Sequence, residues 1–363
     1  MLHEKLIARI QDGMSGLNVG LSTGLFKLDK TIYGIQKGWI YTVISSSGGG
    51  KSSFAINSYI YQPLKQMLGN DKLRIIYFSL ELSEEVLLAK LLSLYIYDTY
   101  NVIITYEQML SMTETLDPSL YKYVEESIPW LKKISQHLII YDKTINAKRM
   151  YAYLKSHFEE RGEFKEVSKT KFTYKHKYDD HLTITVVDHV RLLEHSGSSP
   201  KPEIDLMCKY MIYFRNKCGL TGVLLQQVNR NSLDMDRKKA NMQEFNLSDL
   251  SDTSDTAQAS EVVLGLFYPH REKMSTCRGY RIEGGLGDRA RICQILKNRF
   301  GKSDLAFGVG FYGECNHFEN IPSSKQMTEE DYIRYSDIKN LKRTDKFIKV
   351  DDKNKRDDFV FKL

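Results

Sequence analysis

The chain contains little cysteine, and the five cysteines that it has are scattered over the second half of its 363 residues. Their number is odd, and no two of them form a Cys-x-x-Cys pair. A disulfide framework needs paired cysteines, and a zinc site needs closely spaced ligands, so both are disfavoured. The composition therefore favours reduced thiols. The residues are Cys208, Cys218, Cys277, Cys293 and Cys315.

Long apolar runs are also absent. No segment approaches the length of about 20 residues that a membrane-spanning helix requires. The start, MLHEKLIARI, is too interrupted by charge to serve as a secretory signal. The charge balance is 52 − 46 = +6, a mild excess that permits nucleic-acid binding without arguing strongly for it. We expect a soluble cytoplasmic protein with no membrane partner.

What the chain does have is an alternation of strand-like and helix-like segments from residue 20 to residue 321. The early strand candidates are continuous Ile, Val, Leu and Tyr runs, typical of parallel strands that are covered on both faces. The later candidates follow one another without long helices, which suggests an antiparallel extension. The pattern predicts an α/β fold with a mostly parallel sheet. The candidates are 39–44, 73–80, 138–141, 182–187, 221–225, 262–267, 291–296 and 307–312.

One stretch has the pattern of a phosphate-binding loop. Residues 41–53 read YTVISSSGGGKSS, a β-branched run followed by a glycine-rich turn and a helix start. Backbone N–H groups and the helix N-terminus would surround phosphates, Lys51 would reach the β- and γ-phosphates, and Ser52 would ligate Mg²⁺. Ser45 replaces the usual first glycine, and a flexible turn is the alternative. The predicted nucleotide-binding residues are Ser47, Gly48, Gly49, Gly50, Lys51, Ser52 and Ser53.

Three later strands end in polar residues. Glu81 follows the second strand, Asp188 ends the fourth and Gln227 follows the fifth. The carboxyl ends of parallel strands face the ligand in open α/β sheets, so these side chains are expected beside the γ-phosphate and the Mg²⁺. Helix capping is the alternative for Glu81, and strand capping for Gln227.

In order and spacing these stretches resemble the ATPase domain of DnaB-type replicative hexameric helicases, within the RecA-like P-loop NTPase superfamily. The matching segments include Phe78-Ser-Leu-Glu81, Gln227-Val-Asn-Arg230 and Lys297-Asn-Arg299-Phe-Gly301. They span most of residues 1–320. Members of this family also tolerate a residue other than glycine at the position of Ser45. The resemblance implies ATP and Mg²⁺ as cofactors.

The resemblance also implies roles for individual residues. Glu81 would activate water, Asp188 would support the metal beside Ser52, and Gln227 would sense the γ-phosphate. Lys297 and Arg299 would enter the nucleotide site of the neighbouring subunit, with Arg299 as the arginine finger, because a planar guanidinium stabilises the charge that spreads in the transition state. An exposed basic turn is the alternative for this pair.

Single-stranded DNA would bind through loops after the Gln-x-Asn-Arg segment. The second of these loops departs from the family, which usually has Arg-Glu-x-Gly where this chain has Ser251-Asp252-Thr253-Ser254. Arg237, Lys238 and Lys239 are as well explained by a solvated charge run. The candidate DNA-binding residues are Arg230, Arg237, Lys238, Lys239 and Ser254.

The resemblance suggests three parts for the chain. Residues 1–19 would form a linker-type helix with an apolar stripe, residues 20–323 the ATPase domain, and residues 324–363 a charged tail whose composition favours disorder or an interaction segment. The family's amino-terminal domain would be absent. A Lys-rich insertion near residues 161–181 favours a solvated hairpin, with a base-stacking β-ribbon as the alternative.

The predicted function is that of a hexameric helicase motor that hydrolyses ATP, moves along single-stranded DNA and unwinds duplex in replication. Replication proteins are potential partners, and the setting would be the cytoplasm of a bacterium or of a phage host. The alternatives are a RecA-like ring ATPase that binds DNA or a protein without unwinding, and a nucleotide-binding structural protein with weakened hydrolysis.

Overall fold

A computed structural model describes residues 2–14, 19–112, 115–168, 171–178, 181–228 and 244–340. The strands within these ranges are β1 (Ile40–Ser45), β2 (Leu73–Ser79), β3 (Leu138–Tyr141), β4 (Gly162–Ser168), β5 (Lys171–His176), β6 (Leu182–Asp188), β7 (Thr221–Gln227), β8 (Val262–Phe267), β9 (Thr276–Cys277), β10 (Tyr280–Arg281), β11 (Ala290–Asn298), β12 (Leu305–Tyr312) and β13 (His317–Asn320). The α-helices are α1 (Leu2–Met14), α2 (Phe26–Ile32), α3 (Lys51–Ala55), α4 (Gln62–Met67), α5 (Glu84–Tyr100), α6 (Tyr106–Met109), α7 (Pro118–Ile134), α8 (Ala147–Arg161), α9 (Lys201–Cys218), α10 (Ser254–Ala259) and α11 (Glu329–Ser336).

The centre of the fold is a sheet of nine described strands in the order β13-β12-β11-β8-β1-β7-β6-β2-β3. The strands from β8 to β3 run parallel, whereas β11, β12 and β13 pair antiparallel at one side. The predicted α/β class, the mostly parallel sheet and its antiparallel extension are confirmed. The sequence patterns did not predict β13 or the short β9–β10 pair.

Helices cover both faces of the sheet because its central strands are apolar on both sides. All six residues of β1 and all seven of β6 are buried. Helices α3, α5 and α7 contribute to the core on one face, and α8 and α9 to the core on the other. Local signals set the helix ends: Asp117 caps α7 by accepting a 2.8 Å hydrogen bond from the Ser119 amide, and Gly219 ends α9 at a φ of 69°.

The insertion near residues 161–181 contains an antiparallel hairpin, β4 and β5. Two of its aromatic rings face the protein: Phe164 and Tyr174 pack against the core formed with α8 and α9. Tyr174 also donates a 2.8 Å hydrogen bond to the Phe158 carbonyl. These two rings are therefore engaged in packing, which does not favour the base-stacking alternative for them.

Residues 324–340 differ from the tail that the composition suggested. Helix α11 begins with a capping box at Thr328 and Asp331 and buries Tyr332 and Tyr335. Tyr332 accepts a hydrogen bond from the Arg281 amide, and its ring lies 4.3 Å from the Arg281 guanidinium. Seven of the seventeen residues of this segment are charged, but Tyr332 and Tyr335 belong to a hydrophobic core cluster. The rest of the predicted tail, 341–363, lies outside the described residues.

Helix α1 leaves apolar side chains exposed. Leu6, Ile7, Ile10 and Met14 are between 49% and 85% accessible. The sequence predicted an apolar stripe of Leu2, Leu6, Ile7 and Ile10 at helical spacing, and the last three of these are among the exposed residues. In the described part of the chain, no helix is long and apolar enough to cross a membrane.

Candidate nucleotide-binding site

The predicted phosphate loop lies at the carboxyl edge of the parallel strands. It connects β1 to α3, and its backbone enters the left-handed region at Gly48 (φ 69°) and at Gly50 (φ 99°). A side chain on Gly50 would also come within 3.2 Å of the Phe311 ring. Glycine is therefore favoured at both turns for its conformational freedom, and at Gly50 a side chain would also be crowded. The loop ends at Lys51, which begins α3.

Ser45, the residue in place of the usual first glycine, is fully buried at the end of β1. Its hydroxyl donates a 2.9 Å hydrogen bond to the Leu266 carbonyl of β8. The hydroxyl is therefore satisfied by the neighbouring strand, and the departure leaves the loop intact. Ser53, near the start of the helix, donates a 2.7 Å bond to the Asn316 side chain, which ties the helix to the segment before β13.

Three charged or titratable groups meet beside this loop. The Lys51 Nζ lies 3.9 Å from the Glu81 carboxylate, and the His189 Nε2 lies 4.0 Å from the same oxygen. Lys51 is 11% exposed, whereas Glu81 is 50% exposed. Burial lowers the pKa of His189, and the charge of Lys51 lowers it further. A neutral imidazole thus lies next to a carboxylate that water can reach.

Asp188 lies at the end of β6 and is 1% exposed. One of its carboxylate oxygens accepts a 2.6 Å hydrogen bond from the Tyr77 hydroxyl. The other oxygen, Oδ1, is buried and has no hydrogen-bond partner among the described residues. A buried carboxylate oxygen is unstable without a donor or a cation, so its environment fits a bound metal ion or the water that such an ion carries.

The register of the sheet brings the polar strand ends to one edge. Gln227 pairs with Ser45, and Asp188 pairs with Ser79, two residues before Glu81. The structure thus places Lys51, Glu81, Asp188 and Gln227 around one carboxyl edge, as the polar strand ends suggested.

The residues at this edge fit a nucleotide and a divalent cation. Lys51 supplies a cation for phosphate, and Asp188 offers an oxygen without a partner in the described ranges. In the same ranges no three His, Cys, Asp or Glu side chains cluster as a metal site.

Lys297 and Arg299 lie at the opposite edge. Strand β11 runs antiparallel to β8, so its last residue, Asn298, pairs with the first residue of β8, Val262. Lys297 donates a 2.7 Å hydrogen bond to the Ala257 carbonyl, and Arg299 lies 2.9 Å from the Glu261 carboxylate. Burial lowers the pKa of Lys297, and Arg299 lowers it further. The structure therefore does not bring this pair to the phosphate loop of the same chain.

Glu261 holds two arginines at that edge. It is 4% exposed, and the same carboxylate oxygen that contacts Arg299 lies 2.6 Å from Arg215. Its other oxygen accepts a 2.7 Å bond from the Ile40 amide. Arg299 itself is 45% exposed. Its guanidinium is therefore ion-paired with Glu261 and also accessible to solvent.

Sequence reasoning missed a group that packs against the loop from behind. Arg291, at the start of β11, donates a 2.9 Å hydrogen bond from Nε to the Gly49 carbonyl. Its guanidinium lies over the Tyr268 and Phe311 rings. His189 was also missed. His189 could have been identified from its position directly after Asp188, whereas no local sequence pattern identified Arg291.

The candidate DNA-binding residues are not placed. Arg230, Arg237, Lys238 and Lys239 lie outside the described residues. Ser254 is the first residue of α10, and only its backbone is described.

Comparisons with known proteins point to one family. The family model described as DnaB-like helicase C terminal domain matches residues 20–320. A search of curated proteins gives no match. Among solved structures, one described as an ATPase domain superimposes with a TM-score of 0.67 at 16% identity, covering 89% of this chain and 99% of that one. A second solved structure is described as that of a DnaB-like replicative helicase and its interactions with primase. It superimposes with a TM-score of 0.65 at 16% identity, covering 88% of this chain and 66% of that one.

Proposed function

Because the chain belongs to the DnaB-like helicase family, whose members are ATP-hydrolysing DNA helicases, we propose that it assembles into a hexameric ring that moves along single-stranded DNA and unwinds duplex. The observation that carries this proposal is the division of the site residues between two edges of one sheet. Lys51, Glu81 and Asp188 lie at one edge, and Lys297 and Arg299 lie at the other. One chain alone holds an incomplete hydrolytic site.

In the proposed mechanism the phosphate loop and Lys51 bind the phosphates of ATP. Mg²⁺, which Ser52 and Asp188 would hold, would neutralise phosphate charge. Glu81 would orient and deprotonate the attacking water, and its exposure to solvent leaves room for that water. Gln227 would contact the γ-phosphate from the end of β7. The neighbour's Arg299 would complete the charge around the transferring group.

Ring formation also explains two apolar surfaces that the described chain leaves open. One is the stripe on α1 formed by Leu6, Ile7, Ile10 and Met14. The other is a cleft of about 350 Å³ among α5, α7 and β3, whose apolar lining includes Leu88, Leu92, Val124 and Ile134. We propose that α1 of one subunit docks into this cleft on the next, because burying both surfaces together removes apolar area from water.

The sequence of residues 251–254 favours a second candidate function. The segment at 251–254 lacks the residues that the family usually has in its DNA-contacting loop. A ring ATPase that binds DNA or a protein without unwinding would tolerate that change. Strand separation is therefore the activity that distinguishes the two proposals.

The test is ATP hydrolysis with and without single-stranded DNA, together with a forked-duplex unwinding assay. DNA-stimulated hydrolysis with strand separation supports the helicase. Stimulation without separation supports the second function. A purified protein that binds ATP but shows no turnover under any of these conditions contradicts both.

A further inference from the structure

Arg291 is a buried cation without a carboxylate partner in the described part of the chain. Its residue surface is 4% exposed, and its hydrogen bonds go to the backbone carbonyls of Gly49, Asp288 and Ala290 and to the Tyr268 side chain. Among the described residues no ion pair includes Arg291, although Asp288 lies close enough to influence it. Two arginines elsewhere, Arg278 and Arg281, each contact a glutamate. Arg291 therefore retains a charge that these parts of the chain leave largely uncompensated.

The charge persists at neutral pH. Burial lowers the pKa of Arg291 to about 10, which still leaves the guanidinium protonated at pH 7. Its central carbon is 3.6 Å from the Tyr268 ring centre and 4.8 Å from that of Phe311. These ring faces stabilise a cation but do not cancel its charge. An uncompensated charge of this kind is costly in a protein interior unless a ligand offsets it.

The Arg291 guanidinium contacts the phosphate loop at the peptide group between Gly49 and Gly50. Arg291 binds the carbonyl of Gly49, and the peptide plane that carries this carbonyl also carries the Gly50 N–H on its opposite side. A hydrogen bond that holds this carbonyl in place would therefore also hold the Gly50 N–H on the side away from Arg291. Phe311, which contacts Arg291, also fills the space beside Gly50.

We propose that Arg291 is a positioning residue for the nucleotide: a fixed positive charge behind the phosphate loop that strengthens phosphate binding and orients the Gly50 amide. This rests on the proposed function, since it deepens the chemistry of the same site. The ligand class is a nucleoside di- or triphosphate, which brings the negative charge that offsets the guanidinium here.

Two variants separate the charge from the hydrogen bond. Arg291→Lys keeps a cation but loses the guanidinium fork, whereas Arg291→Gln keeps an N–H donor but loses the charge. We expect Arg291→Gln to raise the Kd for ADP and ATP roughly tenfold or more, because charges several Å apart interact substantially where water is largely excluded. Arg291→Lys should stay within about threefold of the parent protein, since it keeps the charge.

The control is Arg289→Gln. Arg289 lies two residues earlier and forms a bidentate ion pair with Glu314, away from the loop carbonyls. Its loss should lower the melting temperature and leave the nucleotide Kd unchanged. The measurements are titration with a fluorescent ADP and competition by unlabelled ATP, on the full chain, with melting temperatures recorded for each variant.

The outcomes separate three possibilities. Weak binding by Arg291→Gln with near-normal binding by Arg291→Lys supports the proposal. The proposal is overturned if both variants bind nucleotide with the same Kd as the parent protein. It is also overturned if both variants bind equally weakly, because the effect would then come from the shape of the arginine side chain and not from its charge. Failure of the parent protein to bind any nucleotide would count against the proposed function itself.

Discussion

Tyr77 donates a 2.6 Å hydrogen bond to Oδ2 of Asp188, while Oδ1 of the same carboxylate is buried without a partner among the described residues. The two residues come from adjacent parallel strands, β2 and β6. Burial raises the pKa of Tyr77 well above its usual value, and the charge of Asp188 raises it further, so the phenol remains a donor. The carboxylate is thus fixed from one side and left open on the other.

Replacing Tyr77 by Phe should lower the free energy of unfolding by about 2 kcal/mol, because a buried carboxylate would lose the phenol donor. Denaturant unfolding in the absence of nucleotide measures the effect. Tyr59→Phe is the matched control: Tyr59 is equally buried, but its hydroxyl has no partner in the described part of the chain, so its removal should cost little stability. Equal losses in the two variants would contradict a specific contribution from the Tyr77 bond.

Glu81→Gln should bind ATP with an affinity close to that of the parent protein and lose most of its turnover. The amide retains the size of the side chain but cannot accept the proton of the attacking water. We expect a fall in kcat of roughly a hundredfold or more, the scale of general base catalysis. Glu85→Gln, an exposed change in the first turn of α5, is the control. Unchanged hydrolysis by Glu81→Gln would remove this residue from the proposed role.

Mixing two inactive proteins tests whether Arg299 acts across subunits. Arg299→Ala subunits retain an intact phosphate loop, and Lys51→Ala subunits retain an intact Arg299, so a mixed ring would contain complete sites. We expect ATP hydrolysis to recover partly and to peak at intermediate ratios. A mixture of Lys51→Ala with Glu81→Gln is the control, because both changes affect the same edge and no complete site forms. Absence of recovery at every Arg299→Ala ratio would refute action in trans.

Removal of residues 1–14 should dissociate the assembly. The truncation deletes the exposed stripe on α1, and light scattering would report a fall in mass toward the single chain. A milder variant, Ile10→Asp, places a charge on the stripe and should act in the same direction. Gln11→Asp, which adds the same charge at a polar exposed position next to it, should leave the assembly unchanged. An intact hexamer after the truncation would rule out docking by α1 as the main contact.

Stability should fall in mild acid because of His157. Burial lowers the pKa of His157 to about 4, and Arg161 and Arg74 lower it further. The unfolded chain, with a histidine pKa of about 6.5, binds a proton that the folded chain does not bind between roughly pH 6.5 and 4. Acidification through this window therefore favours unfolding.

The parent protein should show a larger drop in melting temperature between pH 7.5 and 5 than His157→Gln does. His195→Gln, a change at an exposed histidine, should keep the drop of the parent protein. Identical pH dependence in His157→Gln and the parent protein would show that this imidazole does not contribute.

The phosphate loop and the sheet were predictable because their signals are local. The GGGKSS segment needs its own glycines, and buried parallel strands appear in the sequence as continuous apolar runs. The edge that gathers Glu81 and Asp188 followed from strand direction alone. Arg291 could not be predicted in this way, because it meets Gly49 across 242 positions of sequence, through the order in which β11 enters the sheet. The packing of α11 was missed since its two buried tyrosines stand among charged residues.

Strand β11 runs from one edge of the sheet to the other, with a register shift between Ile295 and Lys297. It is hydrogen-bonded to β8 on one side and to β12 on the other, so it cannot change its length. From Arg291 to Asn298, the residue before Arg299, it spans roughly 23 Å. A displacement of the Arg291 end on nucleotide binding would be transmitted along this backbone toward Lys297 and Arg299. In a ring, each subunit would then transmit its own nucleotide state to the next as a small mechanical movement.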